Sequence, residues 1–570
     1  MATIALDASP GTGTATRRWQ VVVDLGLIAV ALAVMLALVN PIGDFPVNDD
    51  WVYALSVKAM LRDGSFALPS PASANVIIQS YWGALFCLVF GFSFTALRAS
   101  TLVLALLGLF ALYGAAREVG GSRRLALGAA LGLLVNPIYF ALANSFMTDV
   151  PFVSLTTIAL YAFVVGIGRE RPRALVAAFG IALATIFLRQ FALLFVLGFG
   201  AAWVASERFS ARSIAVATAM VLAGAAMHVG FQHWLAATGR TPATVVGGAS
   251  DLRAYHVADG LVLSYAFAAI RFVPYLGLML APIYFATGFA STRTLLRRRG
   301  AMTIAAMLVT IALQAYATIG QGLWLPYMGN VLTRYGIGPL TLYDLYFRQT
   351  NLPSVPAGVV AMWVELLALC VVVGAAAVVD MAASCATIVR GLVRGRAGEG
   401  WLETCVMTVS IAYLLLLVVM AVSRLGAFDR YLLVLVGPLS LLVLHRAGRL
   451  TEGRIDAGLQ AVALAAMAVL AVVTMHDYLA WQRARLAATD ELTRRGIAPG
   501  QIDGGYEFNG WRNYRFAYRQ PKGKSYWWVD DDRYMIGAGP LAGFAIERRY
   551  AYQRWLGLAP AEVVVLRRLQ

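Results

Sequence analysis

The sequence predicts an all-α polytopic membrane protein that carries a small α+β region at its C-terminal end. Hydrophobic residues make up 60% and charged residues 13% of the 570 residues, whereas an ordinary globular domain is about 25% charged. The mean hydropathy is +0.71. Apolar runs long enough to cross a bilayer recur from residue 19 to residue 475, and the chain becomes markedly more polar beyond that point.

The net charge of +16 would also suit a nucleic-acid-binding protein. The arginines, however, concentrate in the short loops between apolar runs, where they determine orientation in a membrane. Arg17 and Arg18 precede the first run, so we expect a cytoplasmic N-terminus. We therefore predict a multi-pass protein of a bacterial inner (plasma) membrane, with the lipid bilayer as its surroundings and no nucleic-acid partner.

Taken in order, the chain is expected to have a disordered start (1–18), a membrane domain (19–475) with a first outer loop (41–96), and a tail (476–570). The run at 81–92 is too short to cross comfortably, so we predict an interfacial helix there. The spans number about 13 and are expected at residues 19–39, 97–116, 125–143, 151–168, 174–188, 191–206, 213–235, 261–289, 301–320, 357–380, 401–422, 431–445 and 457–475.

The tail from residue 476 should be periplasmic, because an odd number of spans from a cytoplasmic start ends outside. Its glycine-rich turns, its aromatic residues Trp511, Trp527 and Trp528, and a β-like run at 563–566 predict a small α+β domain. We expect Glu507 and the acidic run Asp530, Asp531 and Asp532 to lie on a solvated face or turn.

Ionisable residues gather at the predicted outer ends of the spans, and such residues are functional candidates. A carboxylate at Asp49 could accept a proton from a hydroxyl group. Asp149 could orient that carboxylate, or Asp49 and Asp149 could hold a divalent cation such as Mg²⁺. Arginines could bind a phosphate group through two parallel hydrogen bonds. The outer candidates are Asp49, Asp50, Asp149, Arg189, Arg424, Asp429 and Arg430, and Arg271 lies within an apolar run, where a phosphate partner would suit it.

Each candidate has a plainer interpretation. Asp49 or Asp50 could cap the amphipathic helix that follows them, and Asp149 could cap a helix with Pro151 in its first turn. Arg189 could extend its charge to the membrane surface, and Arg430 could be an ordinary flanking charge. Asp24, near the inner end of the first span, is expected to be structural.

The motif Asp49, Asp50, Trp51, Val52, Tyr53, Ala54, followed by Ala59–Leu61 and Gly64, resembles the first-loop signature of GT-C membrane glycosyltransferases. That superfamily includes the protein O-mannosyltransferases, the aminoarabinose lipid A transferase and the lipopolysaccharide-core sugar transferases. The stretches Gln79–Trp82, Phe90–Gly91 and Ala96–Arg98 resemble the continuation of that loop. Phe146–Pro151 resembles the second acidic motif, and Asp429–Leu433 the late Arg-Tyr-Leu motif.

The resemblance implies an inverting transferase that moves a sugar from a polyprenyl-phosphate donor to a glycolipid, polysaccharide or protein acceptor. Asp49 would be the catalytic carboxylate, with Asp50 and Asp149 beside it. The donor phosphate would be bound by Arg189, Arg271, Arg424 and Arg430, and the sugar or acceptor by Tyr53, Tyr81 and Trp82. The aminoarabinose branch has a Glu-Lys-Pro-Pro element where this chain has Ile77–Ser80, so a metal ligand is missing and we expect Arg189 to supply the positive charge.

Two other classes of function fit parts of the pattern. A lipid or sugar transporter would place its charges near the bilayer midplane on broken helices, often with an internal repeat. Here the charges gather at one face and the sequence shows no repeat. An oligosaccharide ligase or oligosaccharyltransferase would share the same broad fold, and the sequence does not separate it from a single-sugar transferase.

Overall fold

The computed structural model describes residues 13–244, 268–338, 342, 354–423, 426–448, 454–515, 528–558 and 560–569. Of the described residues 73% are helical, which confirms the predicted all-α class. Residues 1–12 of the expected disordered start, Trp527 and Arg424 lie outside the described residues.

Seventeen α-helices and six short strands are described, and they are numbered here in chain order. The helices are α1 (Gly13–Val39), α2 (Asp50–Asp63), α3 (Ile77–Phe90), α4 (Phe94–Glu118), α5 (Arg123–Leu134), α6 (Pro137–Ala143), α7 (Asp149–Gly168), α8 (Pro172–Thr185), α9 (Leu193–Ser206), α10 (Ala211–Ala237), α11 (Val273–Ala286), α12 (Ala290–Gln321), α13 (Ala357–Val393), α14 (Trp401–Val422), α15 (Val436–Ala447), α16 (Arg454–Arg494) and α17 (Tyr506–Asn513). The strands are β1 (Leu332–Thr333), β2 (Gly336–Ile337), β3 (Ile502–Asp503), β4 (Tyr534–Gly537), β5 (Phe544–Gln553) and β6 (Pro560–Arg568).

Within the described ranges, 10 helices are long and apolar enough to cross a membrane, or 11 if the bent pair α5 and α6 forms one span. The sequence predicted one span at 125–143, but these two helices meet at 65°. Pro137 begins α6, and the side chain of Asn136 accepts hydrogen bonds from the amides of Ile138 and Tyr139. A proline lacks the N–H that would continue the preceding helix, so the helix breaks there. The total of about 13 spans stays a prediction.

Helix α3 contains the run that was expected to lie in the interface. Its 14 residues make a helix about 21 Å long at 1.5 Å per residue, whereas the hydrocarbon core is about 30 Å thick. The helix is therefore too short to cross unaided. Its placement relative to a membrane stays a prediction.

The tail forms the predicted α+β region. Four strands pair in the order β3-β4-β6-β5, with β3 parallel to β4 and the other two pairings antiparallel. Helix α16 runs without a break through residue 476. Near its C-terminal end, Glu491 accepts a hydrogen bond of 2.8 Å from Arg548 of β5. The sheet thus packs on the last helix of the bundle, and the division of the chain into domains stays a prediction.

The first loop is tied to the bundle by Arg98 of α4, which is fully buried. Its guanidinium donates to the carbonyls of Pro41 and Gly43, each at 2.9 Å, and to that of Phe45. Hydrogen bonds from a charged group are worth about 1.5–3 kcal/mol each. Arg98 therefore fixes the segment that leads directly to Asp49.

At the other end of the bundle, Asp24 of α1 has the structural role that the sequence indicated. Its buried carboxylate accepts from the Tyr113 hydroxyl at 2.6 Å and from Arg123 at 2.8 Å. These contacts join α1 to α4 and α5.

Candidate functional site

Asp49 ends the loop that follows α1, and its side chain makes no capping hydrogen bond to α2. One carboxylate oxygen accepts a hydrogen bond of 2.9 Å from the Tyr506 hydroxyl. The other accepts from both terminal nitrogens of Arg430, at 3.3 and 3.4 Å. The capping interpretation of Asp49 is therefore wrong, because its carboxylate is occupied by long-range partners instead.

Arg430 joins Asp49 to a second carboxylate, that of Asp149, which is buried. The Nε of Arg430 lies 3.9 Å from Asp149 Oδ1, and Arg189 donates to the same oxygen at 3.0 Å. Asp149 is the first residue of α7, whose N-cap residue is Thr148. Its other oxygen, Oδ2, is buried and has no hydrogen-bond partner among the described residues, so the carboxylate does not cap the helix. The four residues Asp49, Asp149, Arg189 and Arg430, called the charged cluster below, come from four distant parts of the chain.

The local chain conformation explains how the arginines enter this cluster. Arg189 lies in extended conformation between α8 and a 3₁₀ turn at Gln190–Ala192, and Arg430 is the second residue of a 3₁₀ helix at Asp429–Leu435. Both guanidinium groups lie near the Tyr431 ring, at 5.4 and 5.5 Å from its centre. Both arginines are buried and paired with carboxylates, which is not expected of a charge that only flanks a span or extends into solvent.

Asp50 does not join the charged cluster, although it was predicted beside Asp49. It is fully buried, and its two oxygens accept hydrogen bonds from the backbone N–H groups of Val47 at 2.7 Å and Phe146 at 3.5 Å. Burial raises the pKa of the Asp50 carboxyl to about 8, against the opposing effect of Arg98. Its contacts tie the first loop to the segment before α7, which is a positioning role.

Asp429 likewise binds backbone rather than the cluster. Its carboxylate accepts from the amides of Leu332 at 2.7 Å and Val331 at 3.3 Å, and from the amide of Arg430 at 2.8 Å. These bonds fix the start of the 3₁₀ helix against β1, and thereby fix the direction in which Arg430 points.

The three aromatic candidates occupy different places. Tyr53 is buried, and burial together with the Asp49 charge raises the pKa of its phenol, so its hydroxyl stays protonated beside the cluster. Tyr81 is 57% exposed. Trp82 donates its ring N–H to the carbonyl of Ser100 at 2.8 Å and so serves to join α3 to α4.

The two remaining arginines are not placed in the cluster. Among the contacts of the described residues, none joins the Arg271 side chain to the four cluster residues, and its backbone carbonyl accepts from the Tyr327 hydroxyl at 2.6 Å. Arg424 lies outside the described residues.

The tail contributes residues that the sequence did not assign to the site. Tyr506 bonds Asp49, and the next residue, Glu507, is 0% exposed. Glu507 forms an ion pair of 2.6 Å with Arg485 and accepts from the amide of Asn48 at 3.3 Å. The expectation of a solvated Glu507 was therefore wrong, because a long-range ion pair compensates for its burial.

The expectation of a solvated acidic run was wrong for Asp532. It is also 0% exposed and is paired with Arg568 of β6. Its neighbours Asp530 and Asp531 are more exposed, as expected for a solvated turn.

An aromatic cluster holds the tail against the first loop. The Trp51 ring lies 5.5 Å from Tyr506, 5.7 Å from Tyr514 and 5.4 Å from Trp528. Gly510 packs on the indole so closely that an added Cβ would lie 2.3 Å from it. Trp51 belongs to the recognised motif, but its partners lie more than 450 residues away, so no local pattern indicates them.

The charged cluster does not fit a divalent cation held between Asp49 and Asp149. The described residues contain no group of three or more His, Cys, Asp or Glu side chains placed to hold a metal ion. Arg430 already contacts both carboxylates, at 3.3 Å from Asp49 and 3.9 Å from Asp149. A Mg²⁺ ion there would meet a guanidinium, and it prefers six oxygen ligands.

Comparison with known proteins gives one family match. Residues 76–232 match the model of the dolichyl-phosphate-mannose-protein mannosyltransferase family. This segment includes Asp149 and Arg189. The match and the helical architecture support a GT-C superfamily membrane glycosyltransferase, so the predicted superfamily is confirmed at that level. A comparison with curated proteins finds no match.

Solved structures of low similarity include ArnT from Cupriavidus metallidurans in the apo state, with 13% identity, 95% of this chain and 97% of that chain covered, and a TM-score of 0.40. The same protein bound to undecaprenyl phosphate has 14% identity, with 95% of this chain and 98% of that chain covered, and a TM-score of 0.38. The Archaeoglobus fulgidus oligosaccharyltransferase tethered with an acceptor peptide has 15% identity, with 83% of this chain and 59% of that chain covered, and a TM-score of 0.40. At these TM-scores the likeness carries no argument about function.

Proposed function

We propose that the protein transfers a sugar from a polyprenyl-phosphate donor to a hydroxyl group of a cell-envelope acceptor, which is a glycolipid, a polysaccharide or a protein. Asp49 takes the proton of the acceptor hydroxyl as its oxygen attacks the anomeric carbon. The bond from that carbon to the phosphate oxygen breaks, and polyprenyl phosphate leaves with the electron pair. A single displacement of this kind inverts the anomeric configuration.

The observation that carries this proposal is the difference in exposure within the charged cluster. The Asp49 side chain is 26% exposed, whereas those of Asp149, Arg189 and Arg430 are 2%, 5% and 4% exposed. A general base must come within hydrogen-bond reach of the proton that it removes. Asp49 is thus the member of the cluster that an acceptor can approach, and the other three support it.

The supporting roles follow from the contacts. Arg430 and the Tyr506 hydroxyl hold the Asp49 carboxylate in one orientation from its two oxygens. Asp149 balances the charge of both arginines. The two guanidinium groups also provide a fixed positive field for the phosphate that leaves, which needs no reorganisation at the moment of reaction.

We propose that the reaction does not need a metal ion, because Arg430 and Arg189 provide the positive charge that two close carboxylates require. Activity should survive prolonged treatment with EDTA and remain unchanged when Mg²⁺ or Mn²⁺ is added back. An enzyme that loses activity in EDTA and recovers it with a divalent ion would refute this part of the proposal.

We propose that the site faces the periplasm. The hydrogen bond from Tyr506 to Asp49 places the tail and the cluster on the same side of the bundle. A C-terminal alkaline phosphatase fusion should therefore be active, and a green fluorescent protein fusion should be dark. The reverse pattern would place both the tail and the cluster in the cytoplasm.

The function is tested by analysing the cell-envelope glycans of a deletion strain by mass spectrometry, after complementation with wild-type protein or with Asp49→Asn. We expect one sugar to be missing from a defined acceptor in the deletion strain, restored by wild type and not by the variant. Loss of a whole oligosaccharide block instead would favour transfer of a preassembled chain. Unchanged glycans would contradict the proposed activity.

A further inference from the structure

A second charged cavity lies at the opposite end of the helix bundle from the charged cluster. Helices α12, α13, α14 and α15 line this half-open cavity of about 580 Å³. Its charged and titratable lining residues are Arg298, Arg299, Arg390, Glu403, His445 and Arg446. Four arginines face a single carboxylate in this lining, so the cavity favours an anion.

Its position follows from one continuous segment of chain. The 3₁₀ helix Asp429–Leu435 begins with the cluster residue Arg430, and α15 continues it to Ala447, next to the cavity residue Arg446. At about 2.0 Å per residue in a 3₁₀ helix and 1.5 Å in an α-helix, the segment is about 30 Å long. This matches the hydrocarbon thickness of a bilayer, so the cavity lies at the opposite end of a candidate membrane span from Arg430.

Arg446 is held in place inside the cavity. Its Nε lies 3.2 Å from the Ser291 hydroxyl, one terminal nitrogen lies 3.3 Å from the Ser384 hydroxyl, and Asp380 is 4.0 Å away. Asp380 itself is buried and accepts from the hydroxyls of Ser291 and Tyr284. The Arg446 side chain is only 14% exposed. A guanidinium fixed in this way binds an anion with little further loss of conformational freedom.

Helix α12 is broken at Arg299, where the backbone angles are φ −142° and ψ 45°. The break separates the first turns of the helix, which carry Arg298, from the apolar length that follows. Leu295, Met302 and Ala306 line the cavity from both sides of the break. The Met302 side chain is largely exposed, on a helix whose outer face is apolar. The cavity thus joins a cationic end to an apolar surface that faces the bilayer.

Glu403 adds an acceptor to this cationic lining. It is buried, and its Oε1 lies 3.4 Å from His445 Nε2. Its Oε2 is buried and has no hydrogen-bond partner in the part of the chain that the structure describes. A buried carboxylate oxygen without a partner is costly, and a hydroxyl group on a bound headgroup would satisfy it.

We propose that this cavity binds the phosphate headgroup of an anionic glycerophospholipid whose headgroup carries a hydroxyl. The arginines bind the phosphodiester, Glu403 accepts from the headgroup hydroxyl, and the acyl chains lie along α12. Basic pockets between membrane helices recognise lipid headgroups in this manner. Arginines at one membrane face can also serve only to orient the protein. That role needs neither a cavity of this size nor an arginine held in place as Arg446 is. The proposal does not depend on the proposed sugar transfer.

The chain provides a matched test. Arg298→Gln/Arg390→Gln removes two exposed lining charges. Among the described residues, the Arg390 side chain bonds only within its own helix, to the Ala386 carbonyl and the Thr387 hydroxyl. Arg297→Gln/Arg394→Gln removes two exposed charges from the same two segments, α12 and the end of α13, outside the lining. Both variants change the net charge equally, so any difference between them reports on the cavity.

Retention of phosphatidylglycerol by the purified full-length protein is measured by native mass spectrometry, with phosphatidylcholine of the same acyl chains as reference. We expect wild type and the control variant to retain phosphatidylglycerol preferentially, and the lining variant to bind it at least about tenfold more weakly. Glu403→Gln should reduce the preference for phosphatidylglycerol over phosphatidic acid, which lacks the hydroxyl.

Equal loss in the lining and control variants would overturn the proposal, since it would show attraction by the overall charge of that face. Equal retention of phosphatidylglycerol and phosphatidylcholine by wild type would also overturn it. A third arm adds soluble glycerol 3-phosphate. Displacement of the lipid at millimolar concentration would overturn the lipid assignment and identify a soluble phosphate compound as the ligand, whereas no displacement supports the lipid.

Discussion

Asp49→Asn should abolish transfer while the protein still folds. Asparagine has nearly the same shape as aspartate, and its carbonyl oxygen can still accept from the Tyr506 hydroxyl, which lies 2.9 Å from Asp49. The pair with Arg430 at 3.3 Å is lost, but the Asp49 side chain is 26% exposed and Arg430 keeps Asp149. Arg430 itself is only 4% exposed, and its Nε has no hydrogen-bond partner among the described residues, so we expect a loss of about 1–3 kcal/mol in the free energy of unfolding.

The effect on the reaction should be much larger. An amide cannot take the proton of the acceptor, and a positioned general base contributes about 10²–10⁴-fold in rate. At 1.36 kcal/mol for each factor of ten, this corresponds to about 3–5 kcal/mol in the activation barrier. The prediction is therefore a fall in kcat of at least about 100-fold in protein that remains folded at the assay temperature.

The neighbouring residue provides the control. Asp50→Asn makes the same chemical change one position later, but places an amide nitrogen against the backbone N–H of Val47 or Phe146. A buried donor left without an acceptor costs about 1–3 kcal/mol, so this variant should lose stability and keep its activity per folded molecule. Both variants are assayed in nanodiscs with a labelled polyprenyl-phosphate sugar. Full activity of correctly folded Asp49→Asn would falsify the assignment of Asp49 as the base.

Further predictions concern the supporting residues. Tyr506→Phe should lower kcat/KM about tenfold, because it releases one oxygen of Asp49. The control Tyr514→Phe loses a bond from the Ser70 amide and should affect stability only. Equal kinetic effects of the two variants would show that the tail acts through packing alone. Arg189→Ala breaks a buried pair. It should lower the free energy of unfolding by about 3–5 kcal/mol, measured by thermal unfolding, and should sharply reduce the turnover rate. Retained activity would remove Arg189 from the mechanism. The pKa of Asp50 is raised from 3.8 to about 8, so the folded protein binds this proton more tightly, and stability should fall as pH rises from about 4 to about 8. Asp50→Asn should lack that component, and an identical pH profile of thermal unfolding in both proteins would contradict it.

The sequence by itself determined the class of the protein and singled out the first members of the candidate site. Apolar runs separated by arginine-rich loops define a multi-pass helical protein because each span must satisfy its own backbone hydrogen bonds in lipid. The residues Asp49, Asp149, Arg189 and Arg430 each stood out because a charge at a span end is costly without a purpose. A local pattern suffices for such inferences.

Only the tertiary structure decided which of these residues contact one another. Asp49 and Asp50 are adjacent in sequence, yet one shares Arg430 and the other binds the backbone of a distant loop. The two side chains point in different directions at the start of α2, and the next residue, Trp51, packs against Tyr506 of the tail. Tyr506 and Glu507 reach the first loop across more than 450 residues. Burial and partnership of this kind arise from contacts distant in sequence, which no local pattern of hydrophobicity or charge encodes.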